Sequence, residues 1–312
     1  MAGSDKSVRP RLPICRPKSQ NEFEHMMEVV DQCLRDAGVS VHARQLRAWL
    51  DISYSLGMNL CFPSGPVPVR AGVFEGIDLS QRILSWYEDR YGAEKLATPP
   101  SMCRCLVRLR GELWAFEPPL VIGSCVFVVD PKPGPAPNVG FGRDRPPRFN
   151  VPDGIRGLPD SLRKLLAREE LVMLLDVAKE GFWIANGLQR ALDVGMMREV
   201  FSDLEQSVEH ILGRVIHYGQ GRWSALQAAE KALKTAIAVG GEKYPRTHDL
   251  AALGKVAERC GVRASESLIK TVQCSADTRY TEEGSSRDHA YASHWSALRI
   301  VRSVTNALSE RA

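Results

Sequence analysis

Arg287 and His294 are the residues whose types and spacing most invite chemistry. Seven positions on a helix is two turns, so the two side chains would share one face. A guanidinium can hold a phosphate through two parallel hydrogen bonds. An imidazole with a pKa near neutrality can take up or release a proton beside it. Asp288 follows as a polar neighbour. Spacing alone does not single the pair out, because Arg35 and His42 have the same separation.

Other chemistry-bearing residues carry weaker signals. Cys103 and Cys105 are two apart on an alternating stretch, so both thiols would lie on one face of a strand. The two readings are a metal site and two small apolar core residues, and the second is expected. The eight cysteines show no CxxC and no zinc-finger spacing, so no metal and no cofactor is expected. Scattered cysteines with no secretory signal suit the cytoplasm. Gly123-Ser124 and Asp130 only faintly echo a nucleotidyltransferase site, since a second Asp is missing. Gly140-Phe-Gly142 lies among prolines and is no dinucleotide fingerprint.

The elements that must position these residues follow from composition and periodicity. The chain has 312 residues, 44% hydrophobic and 25% charged. That excludes collagen-like and wholly disordered classes and makes two domains the expectation. No apolar run is long enough to span a bilayer. The net charge of +4 sits in residues 1–20, with five bases against one acid, leaving 36 of each sign elsewhere. A broad phosphate-binding body is therefore not expected.

Residues 1–20 read as a disordered basic tail. Residues 21–130 read as a mixed domain: helices from Asn21, Ser40 and Asp78 or Ser80, then a three-stranded antiparallel meander over 103–129. Residues 131–160 hold eight of the 19 prolines and read as a linker or long loop. From 161 the pattern is helical. It predicts helices over 162–175, 181–192 and 196–218, the last broken at Gly219-Gln-Gly221, then 223–239, 249–260, 264–274 and 287–308. The fold class expected is α+β, with a C-terminal helical bundle.

Three motifs in that bundle, in order, are Ala228-Ala-Glu-Lys-Ala-Leu-Lys234, His248-Asp-Leu250 and Asp277-Thr-Arg-Tyr280. On them, residues 196–310 resemble the HEPN domain family, all-α bundles. In that reading Glu230 and Lys234 form a solvated i, i+4 pair. Thr247 caps the helix at Asp249, and His248 bonds loop backbone or a ligand.

The resemblance implies a function and its residues. The family's ribonuclease motif is an Arg, a polar residue and a His near the start of the last long helix. Arg287, Asp288 and His294 stand there as the catalytic candidates. The implied reaction is metal-independent RNA cleavage by 2′-hydroxyl transesterification, in a toxin or defence effector. Members with the same Ala-Ala-Glu-Lys-Ala-Leu-Lys helix often lack that pair. The alternative is thus a non-catalytic nucleotide-binding or protein-interaction module. Arg279, Tyr280, His248, Lys231 and Lys234 are the candidates for nucleotide or RNA contact. The partners implied are RNA or a nucleotide, a second copy of the chain in a homodimer, and a regulatory or antitoxin protein.

Overall fold

The computed structural model describes residues 12–61, 63, 67–96, 103–119, 125–132, 148–280 and 285–311. The protein is mostly helical with a small two-stranded antiparallel sheet, which fits the α+β class. No helix among the described residues is long and apolar enough to cross a membrane.

The chain divides into two compact units near residue 100. The described part of the first unit is helical throughout, with α1 (Gln20–Asp36), α2 (Val41–Ser55), α3 (Gly76–Tyr91) and the short α4 (Ala93–Leu96). Ser19 caps α1 by accepting from the Glu22 amide. Phe23, Met27, Val30 and Leu34 of α1 meet Ile52 of α2 and Leu79, Ile83 and Tyr87 of α3 in one apolar core. Residues 12–18, expected in the disordered tail, are tied to this unit. The Leu12 amide donates to Ser55 Oγ at 2.9 Å, and Arg16 pairs with Glu75. Leu12 and Ile14 cover apolar surface there, which outweighs the polar tail composition. Residues 1–11 of the expected tail lie outside the described residues.

The second unit opens with a hairpin, β1 (Cys105–Leu109) and β2 (Glu112–Phe116). Leu109 pairs with Glu112 and Cys105 with Phe116. Arg110 and Gly111 turn it with φ of 52° and 84°, the two positive values a two-residue primed turn requires. The described part of the expected third strand, 125–129, does not join the hairpin, and residues 120–124 lie outside the described residues. β3 (Val126–Val128) pairs in parallel with β4 (Arg148–Asn150), inside the stretch read as linker. Pro118 and Pro119 offer no amide hydrogens to continue an antiparallel ladder beyond β2. The meander also belongs with the C-terminal helices: Cys105, Val107, Leu109 and Phe116 share a core with Leu174, Ile184 and Leu298. The unit boundary therefore falls near 100, not 130.

After the short α5 (Asp160–Arg163) come α6 (Arg168–Ala191), α7 (Met197–Leu212), α8 (Tyr218–Val239), α9 (Leu250–Arg259), α10 (Glu266–Val272) and α11 (Arg287–Ser309). Two expected helix breaks move. Gly181 does not divide α6. It sits where that helix crosses β1, and a Cβ there would meet Cys105 Sγ at 2.8 Å. Gly219 and Gly221 do not end a helix but lie in the first turn of α8. A Cβ on Gly221 would meet Ile211 Cγ1 at 2.6 Å, so its role is close approach of α8 to α7. The α7–α8 break falls at Gly213, the C-cap of α7. Ala225, Ala228, Ala229, Ala232 and Ala236 are buried on α8, whose narrow faces pack against α7 and α11.

Candidate functional site

The ribonuclease candidates sit on the N-terminal half of α11, facing the β1–β2 hairpin. Ser286 caps the helix by accepting from the His289 amide at 3.2 Å. Arg287 Nη1 reaches Glu112 Oε2 of β2 at 3.1 Å, and Asp288 pairs with Arg108 of β1. Trp295 Nε1 donates to the Leu106 carbonyl at 2.7 Å. The face shared by Arg287 and His294 is thus the face on which the hairpin lies.

His294 is fully buried. Its Nε2–H donates to the Arg104 carbonyl at 3.1 Å, an acceptor that fixes the tautomer. Nδ1 lies 3.1 Å from Ser207 Oγ, whose hydroxyl also reaches the Gly221 carbonyl at 2.9 Å. Burial pushes the imidazole pKa down to about 4, the carbonyl bond opposing and the nearby Arg104 cation adding to the fall. Arg104 is itself held by Glu205 at 2.6 Å and Glu209 at 2.7 Å, both on α7. His294 therefore joins α11, α7 and the residue just before β1. It is a neutral core histidine with both ring nitrogens engaged, and it presents no atom to a phosphate. Arg287 and Asp288, at the start of the same helix, form ion pairs to the hairpin with partly exposed side chains.

The nucleotide candidates divide differently. Arg279 stands in a short 3-10 turn before α11. Its guanidinium lies between two rings, with Cζ 5.1 Å from the Trp223 centroid and 4.5 Å from the Tyr280 centroid. Gln220 of α8 holds the turn by donating to the Arg279 carbonyl at 2.7 Å. The His248 ring lies 6.2 Å from the Trp223 ring, tilted by 51°. Tyr280 is 70% exposed. Trp223, which opens the apolar pattern of α8, is the platform residue that sequence reasoning did not single out. The signal that could have found it was its place just ahead of the Ala-rich motif.

Beneath this platform Glu230 is buried rather than solvated. It accepts from Lys234 Nζ at 2.6 Å and bonds His248 Nδ1 at 2.8 Å. His248 thus bonds a carboxylate, not loop backbone. Its own carbonyl accepts from Gln273 Nε2 at 3.3 Å. Lys234 Nζ also lies 5.6 Å from the Tyr244 centroid. Lys231 is not part of this arrangement. It turns to α7, 2.6 Å from Asp203. Asp249, not Thr247, caps α9, because its carboxylate reaches the Ala251 and Ala252 amides. Thr247 Oγ1 accepts from the Asp249 amide instead.

Cys103 and Cys105 are both buried, and all eight cysteines are free thiols. A hydrogen bond with Cys105, together with burial, holds the Cys103 thiol well above its ordinary pKa, against the thiolate a metal needs. Among the described residues no three His, Cys, Asp or Glu side chains gather as a metal site would require. Gly123-Ser124 lies outside the described residues. No family model, no curated protein and no solved structure matches the chain.

Proposed function

We propose that the C-terminal unit is a HEPN-type helical bundle that binds a base-bearing ligand, a nucleotide or single-stranded RNA, without cutting it. The observation that carries this reading is the Arg279 guanidinium held between Trp223 and the exposed Tyr280 ring. Every nucleobase has a π-face, and aromatic rings and guanidinium planes are the groups that stack on it. Arg279 and His248 supply donors beside the rings, where phosphate oxygens of a stacked ligand would lie. The platform draws all its groups from one chain, so this reading does not need the homodimer that the resemblance implies. Eight free thiols suit a reducing cytoplasm.

The ribonuclease reading finds its histidine in the core. Binding is the function that the exposed groups support. The test is a melting-temperature screen with nucleoside phosphates, a short single-stranded RNA and ribose 5-phosphate. A base-bearing ligand should raise the melting temperature by linkage, and ribose 5-phosphate should not. Tyr280→Ala and Arg279→Ala should abolish the shift. No shift from any base-bearing ligand contradicts the proposal.

A further inference from the structure

A second feature of the C-terminal unit is independent of the platform. A groove of about 760 Å³ runs above α11 with α6 on one side and α10 on the other. Its floor is apolar, from Met173 and Val177 of α6, Leu268 of α10 and Trp295 of α11. Ala292 and Ser296 stand four apart on α11 in that floor. Two such small residues, one turn apart, leave room for another backbone to come close.

The α6 wall is acidic. Glu169, Asp176 and Glu180 line it at separations of seven and four, which places them on one face of the helix. Over these eleven residue steps the wall is roughly 16 Å long. Arg299 takes up Glu180 at 2.9 Å, and Lys179 stands 3.9 Å from Asp176. Glu169 makes no ion pair with any described residue. Val172 stands in the middle of this wall and is 53% exposed, an apolar side chain set among carboxylates.

We propose that this groove is the docking site for a basic amphipathic helix of a partner protein. A segment of roughly three turns fits the length of the wall. Its aliphatic seam would meet Met173, Val177 and Leu268, with a small residue over Ala292 and Ser296. Its Lys or Arg side chains would lay their stems along Val172 and place their charges at Glu169 and Asp176. The same carboxylates repel phosphate, so neither a nucleic acid nor an anionic membrane suits this wall.

The test is a selection from a random peptide library on the full chain. Binding of the enriched peptides is then measured by fluorescence anisotropy on Asp176→Lys and Val172→Glu, both checked for an unchanged melting curve. Glu258→Lys, on the exposed side of α9, is the control. The expected result is enrichment of peptides with two or more Lys or Arg flanking aliphatic residues at helical spacing. Affinity should fall at least tenfold in each groove variant, fall with salt, and hold in the control. Enrichment of acidic or unpatterned peptides, no enrichment, or affinity unchanged in Asp176→Lys each overturns the proposal. Sedimentation showing a dimer that Val172→Glu dissolves would assign the groove to a second copy and overturn it as well.

Discussion

His294 satisfies the spacing rule and lies fully buried in the core. A general base must meet its substrate, and this imidazole meets Ser207 and the Arg104 carbonyl. His294→Ala should therefore cost about 2–4 kcal/mol of stability, from a cavity plus the loss of its bonds to Ser207 and the Arg104 carbonyl. Urea unfolding measures it. A catalytic histidine at a surface would leave stability almost unchanged on removal. The depressed pKa gives a second prediction with a definite sign. The unfolded chain takes up a proton at this side chain near pH 6.5, whereas the folded chain resists it to about pH 4. The stability that His294 contributes is present above pH 6.5 and is lost as pH falls from 6.5 towards 4. The loss is about 3 kcal/mol at the acid end. His294→Gln should flatten that limb of the stability profile, and an unchanged limb contradicts the assignment.

At the scale of elements, the long helices were legible because their apolar residues recur at helical spacing. The β1–β2 hairpin was legible too, from its Arg110-Gly111 turn, but the partner of β3 was not, because that pairing depends on contacts farther apart in sequence. Nothing near Val126 tells that Arg148–Asn150 will lie beside it. The glycines misled for a related reason. Gly181 and Gly221 look like breaks in a one-dimensional pattern, yet each, like Gly187, marks a crossing where another side chain fills the missing Cβ position. Gly187→Ala would put a Cβ 2.6 Å from Thr305 Oγ1 and 3.2 Å from Thr305 Cβ. Thr305 is buried and its Cβ is fixed to the backbone, so turning about χ1 does not relieve that contact. The substitution should destabilise by about 1–3 kcal/mol, and Thr305→Ala in the same chain should recover part of that loss. Equal unfolding midpoints for Gly187→Ala and the parent would contradict the crossing. For the site, the motif residues Arg279, Tyr280 and His248 were legible from sequence. That Glu230 lies buried under His248, and that Trp223 faces Arg279, depended on how α8 meets two distant loops.

At the scale of the molecule, the hairpin is part of the helical core. Leu106 and Trp295 are joined by a hydrogen bond 189 residues apart in sequence. A fragment starting at residue 101 should therefore fold cooperatively, and one starting at residue 131 should not, as thermal melts by circular dichroism will show. The reverse result would restore a boundary near 130. The near-neutral charge beyond residue 20 also fits a local platform better than a broad basic face. The proposed function is that of a stacking surface that binds and does not cut. The most direct measurement is the fluorescence anisotropy of labelled single-stranded RNA and labelled ATP with the protein in EDTA, followed over an hour. We predict a saturable rise with at least one probe that holds constant in time. It should weaken about five- to a hundredfold in Tyr280→Ala, the loss of one stacked base. A rise that decays as RNA is cleaved, no rise with either probe, or equal affinity in Tyr280→Ala would contradict it.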